Sequence, residues 1–65
     1  MKEYLVKSSD RFIKVLNQME YNSKGVVFVV DGRQRLVGSI SDGDIRRIVI
    51  SKSNQEDLLA GDMAN

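Results

Sequence analysis

The chain has 65 residues, 42% hydrophobic and 29% charged, with ten Lys and Arg against nine Asp and Glu for a net charge of +1, and no Cys, His or Pro. That length permits one small domain burying only about 60% of the surface its unfolded form exposes. Without Cys or His neither a disulfide nor a structural zinc makes up the deficit, so a partner is expected, most simply a second copy. Both signs of charge are interspersed and no apolar run approaches the ~20 residues of a membrane span. The expectation is a soluble, cytoplasmic protein with no nucleic-acid or membrane partner.

In chain order, Tyr4-Leu5-Val6 reads as a short strand. Ser8 or Ser9 can cap a following helix with Asp10 in its first turn. Phe12, Val15, Leu16 and Met19 recur at helical spacing, and Gly25 suits a left-handed cap after Tyr21–Lys24. Val26-Val27-Phe28-Val29-Val30 lacks polar alternation, as expected of a central strand covered on both faces. Asp31-Gly32 signals a turn into a strand over Leu36–Ile40. Beyond Ser41-Asp42-Gly43-Asp44 comes a helix with Ile45, Ile48 and Val49 on one side. Lys52-Ser53-Asn54 reads as a loop, and Ser53–Glu56 as a capping box opening a last short helix that carries Leu58 and Leu59 and stops at Gly61. The four aromatics, Tyr4, Phe12, Tyr21 and Phe28, are core or interface candidates. The order is β-α-β-β-α, an α+β fold in which a small sheet is covered by helices. Five Val and Phe residues in one strand call for more cover than one such unit supplies.

The chemistry concentrates in Leu36–Arg47. A strand there delivers a hydroxyl, two carboxylates and a glycine to a helix N-terminus, with two arginines a turn later. N–H groups at that end favour an anion. Ser41 can donate to phosphate, Asp44 can accept from the paired hydroxyls of a ribose, and Arg46 or Arg47 can neutralise phosphate charge. Gly43 allows a ligand close to the backbone. Ser41-x-x-Asp44 is equally a capping box that needs no ligand. Asp42 and Asp44 oppose an anion, whereas Gly43 gives a first helical turn nothing by itself. Asp42-Gly43-Asp44 lacks the further oxygens and closing Glu of a calcium loop, so no metal is expected. No nucleophile–base pair is evident, so no catalytic residue and no enzyme activity are expected.

Val26–Arg47, with its turn at Asp31-Gly32, resembles the core of a CBS (cystathionine β-synthase) motif. Gly38, Ser41 and Asp44 occupy the places of that family's Gly-hydrophobic-hydrophobic-Ser/Thr-x-x-Asp pattern, with Ser39 where a hydrophobic residue is commoner. The resemblance implies an adenine nucleotide ligand (AMP, ADP or ATP) with no required cofactor. Ser41 would meet its phosphate and Asp44 its ribose, flanked by Asp42, Gly43, Arg46 and Arg47. Backbone and apolar groups of Leu5–Lys7 and Lys24–Val27, including Val6, Lys24 and Val26, would border the base. Lys7-Ser8-Ser9-Asp10 stands where the family often has Pro, and Val15 where it often has Ala.

Ser41-Asp42-Gly43-Asp44-Ile45-Arg46-Arg47 is also similar to a Thr-Asp-Gly-Asp-(Ile/Leu)-Arg-Arg string. That string occurs in bacterial sugar-phosphate nucleotidyltransferases, with an N-terminal CBS pair, and in arabinose-5-phosphate isomerases, with a C-terminal one. Met1 just before the first strand favours the former, and Asp62–Asn65 resembles the junction to a second motif. The resemblance therefore implies that residues 1–65 are a single CBS motif. It would be half of a regulatory pair, without a second domain, completed as a homodimer by a second copy or by another CBS motif.

Overall fold

In a computed structural model of the chain, which describes residues 1–51 and 54–65, the β-branched and aromatic run Val26–Val30 forms strand β2 at the centre of a three-stranded sheet. Strand β1 (Leu5–Lys7) pairs parallel to it, and helix α1 (Phe12–Asn22) makes the crossover between them. Strand β3 (Leu36–Ser41) returns antiparallel and runs directly into helix α2 (Asp42–Ile50). Two short 3₁₀ turns, Lys2–Tyr4 and Gln55–Asp57, and a final single-turn helix, α3 (Ala60–Met63), complete the described residues. This is the expected α+β arrangement.

Successive side chains of β2 face opposite sides of the sheet. Val27 and Val29, with their register partners Ile40 and Val6, form one face and are essentially removed from water. Val15 and Met19 from α1 and Ala60 and Met63 from α3 belong to the same cluster, with Phe12, Ile45 and Ile48 packed against it. On the opposite face Val26 and Phe28 are only half-buried, beside Leu5, Ser39 and Ser41. One layer of cover comes from within the chain; the second face is left partly open.

Several local expectations need correction, each for a physical reason. Tyr4 belongs to the first 3₁₀ turn, so β1 starts at Leu5. Neither Ser8 nor Ser9 caps α1, which begins two residues after Asp10 with Arg11 at the cap position and no side-chain cap. The Asp10 carboxylate instead accepts from Lys7 N–H at 2.8 Å, closing a turn. The first N–H of α1, from Phe12, goes to the Leu58 carbonyl at 3.1 Å, so a distant backbone segment does the capping. At the other end Ser23, at φ 60°, is the left-handed cap, and Gly25 takes φ 69° two residues later.

The hairpin turns where Asp31-Gly32 signals it, but Gln34, not Gly32, adopts positive φ. Asp31 organises this loop by accepting from Arg33 and Arg35 N–H at 2.8 and 3.0 Å. Tyr21 and Val49 face water, at 76% and 49% exposure, so neither is core in the single chain. The proposed last helix also differs. Ser53 lies outside the described residues, Asn54 makes no side-chain cap, Gln55–Asp57 form a 3₁₀ turn, and Gly61 sits inside α3 rather than ending it.

Candidate functional site

The end of β3 and the start of α2 form one continuous junction, so the last strand residue, Ser41, becomes the helix N-cap. Its hydroxyl accepts from Asp44 N–H at 3.3 Å, and the Asp44 carboxylate accepts from Ser41 N–H at 2.8 Å. Both halves of the capping box are therefore present. The Ser41 hydroxyl also donates to Asp44 Oδ2 at 3.0 Å. The other carboxylate oxygen, Oδ1, accepts from the Arg47 guanidinium and from the Asn65 side-chain amide, the latter at 2.7 Å.

Asp44 is 9% exposed, a deeply placed charge for so small a protein. Its carboxyl lies below the usual aspartate range, chiefly because the Ser41 N–H binds the charged form. Burial opposes that shift, while the Ser41 hydroxyl, Asn65 and Arg47 reinforce it. Each of its oxygens already takes two donors, which fills the roughly four acceptor positions a carboxylate offers.

Around this pair the expected residues divide into two groups. Val26 is the register partner of Ser41, and Asp42 N–H donates to the Gly25 carbonyl at 3.0 Å, so the start of β2 and the start of α2 adjoin. Gly25 suits this approach because its φ of 69° is one that side-chain-bearing residues rarely adopt, and a Cβ there would also push the Asp42 carboxylate aside. Arg47 folds back to Asp44 yet stays largely exposed, so its guanidinium can swing to an incoming anion at small cost. Arg46 and Lys24 are exposed and form no ion pair among the described residues. Val6 stands apart: it is in the core, paired with Val29 three positions along β2 from Val26.

Gly43 lies in the first turn of α2 with ordinary negative φ, and a Cβ there would meet its nearest neighbours, Arg47 Nη1 and Ser41 Oγ, at an ordinary 3.6 and 3.7 Å. The fold has room for a side chain at this position.

An open depression of 370 Å³ adjoins Asp44, its walls including Arg47, Ser51, Asp62, Met63 and Asn65. Three of these come from the last four residues of the chain, none of which was assigned to the site from sequence. Asn65 reaches Asp44 across 21 positions, and no local spacing could reveal that contact. Among the described residues, no three acidic, His or Cys side chains gather to hold a metal ion, and no helix is long and apolar enough to cross a membrane.

This strand–cap–helix junction, with its serine, aspartate and arginine at the end of a β-α-β-β-α unit, agrees with the comparison of the chain with known families, in which residues 2–51 match the CBS domain. The chain belongs to the CBS domain family. The match spans the first 3₁₀ turn through α2 and ends before the second 3₁₀ turn and α3, so every CBS-pattern residue lies within it and Asn65 lies beyond it. No curated protein matches the chain.

Proposed function

We propose that this CBS motif is a non-catalytic regulatory module that binds an adenine nucleotide at the junction of β3 and α2. Asp44 takes the ribose hydroxyls, while Ser41, the Gly43 N–H and Arg47 take phosphate. The observation that carries this reading is Gly43. Glycine in a helical turn costs about 0.5–1 kcal/mol relative to alanine, and here neither φ nor steric crowding within the chain requires it. A ligand lying against the backbone at that turn accounts for it.

The module works as half of a pair. The partly open sheet face carrying Leu5, Val26 and Phe28 suits a second copy or another CBS motif. The Ser41–Arg47 string fits two parent enzymes, a sugar-phosphate nucleotidyltransferase and an arabinose-5-phosphate isomerase, without choosing between them.

A second reading rests on the saturated Asp44 carboxylate: a structural pairing module whose capping box serves only the helix. Calorimetric titration with AMP, ADP and ATP separates the two. On the nucleotide reading at least one binds, and Asp44→Ala weakens it by roughly 10- to 150-fold, as loss of a charge-assisted hydrogen bond does. Equal affinity in both proteins, or binding in neither, leaves the structural reading.

A further inference from the structure

Ala64 follows α3 in extended conformation and brings Asn65 against the free edge of β3. Asn65 and Ser39 exchange two backbone hydrogen bonds, of 3.0 and 3.1 Å, the pattern of an antiparallel strand pair. This docking depends on Gly38, where any Cβ would collide with the Asn65 carbonyl. It also carries the Asn65 side chain to Asp44 Oδ1.

The carboxylate then has no acceptor position left. A vicinal diol needs two acceptors, and on Asp44 two donors are held by the cap itself: the Ser41 N–H and hydroxyl, both on Oδ2. The positions a diol can take are those on Oδ1, and Arg47 and Asn65 occupy them. Arg47 is long, exposed and free to turn toward phosphate. Asn65 is held by its own backbone.

We infer that Asn65 is a built-in competitor of the ligand: nucleotide at Asp44 and the 64–65 segment on the edge of β3 exclude one another. Binding therefore releases this segment, and the segment's docking lowers nucleotide affinity by the same factor, since the coupling is reciprocal. The inference rests on the nucleotide reading given above, and deepens it by naming what the ligand displaces.

Two measurements test it separately from that reading. AMP is titrated into the wild-type protein, Asn65→Ala and Asp44→Ala. Removing the Asn65 amide should tighten AMP binding by about tenfold, the lower end for a hydrogen bond to a charged group. If AMP binds the wild type through Asp44 and Asn65→Ala binds it equally, the competition is wrong while the nucleotide site stands. The second measurement needs no ligand. Hydrogen exchange at the Ser39 and Asn65 amides should quicken in Asp44→Ala, which removes the Oδ1 acceptor, and by more than at the Val27 and Val29 amides of β2. Unchanged exchange there overturns the coupling even if no nucleotide binds at all.

Discussion

The carboxyl of Asp44 titrates below the ordinary aspartate value of 3.8 because the Ser41 N–H and its other donors bind the charged form. A depressed native pKa means the folded state holds fewer protons than the unfolded one. The stabilisation is complete well above 3.8 and is lost as the pH falls past that value toward the native pKa. Asp44→Asn should therefore be less stable than wild type at neutral pH, with the gap narrowing on acidification. Urea unfolding at pH about 7 and about 3 checks this, and a gap of constant size would contradict it. Gly43→Ala divides the roles of the same turn: it should raise stability by about 0.5–1 kcal/mol while weakening AMP binding. A variant stabilised with AMP affinity intact would remove the argument from Gly43. The Ser41–Asp44 spacing is legible in sequence because a capping box is a local pattern. Its crowding is not, since Arg47 belongs to the next turn and Asn65 arrives from the far end of the chain.

At the scale of elements, β2 announces itself because five consecutive β-branched or aromatic residues suit only a buried, central strand. The start of α1 is harder to read. Its cap is the Leu58 carbonyl, a tertiary contact, and the serines that resemble a cap stand in a turn closed by Asp10. The β2–β3 loop misleads in a similar way: Asp-Gly marks the turn, but Asp31 binds two later N–H groups and moves the left-handed residue to Gln34, at φ 64°. A non-glycine residue is strained there, so Gln34→Gly should stabilise the protein by up to about 1 kcal/mol, the relief exceeding glycine's added chain entropy. The urea midpoint reads this directly, and a lowered midpoint would show that Gln34 makes compensating interactions.

For the molecule as a whole, the one-sided core is the decisive feature. Val27, Val29, Ile40 and Val6 are closed over by α1 and α3, while Val26 and Phe28 on the opposite face remain half-buried, and Leu36 and Ile50 are each 68% exposed. A 65-residue chain with this much unpaired apolar surface should associate, and sedimentation velocity at micromolar concentration should show a dimer. A folded monomer across that range would mean that the open face needs no second layer.

Where a nucleotide sits on this fold is read most directly from amide chemical shifts during an AMP titration. A nucleotide seated at the β3–α2 junction should perturb Ser41, Gly43 and Asp44 most, with smaller shifts at Val26 and the Asn65 side-chain amide. An unperturbed spectrum, or shifts gathered elsewhere with Gly43 and Asp44 silent, would contradict it.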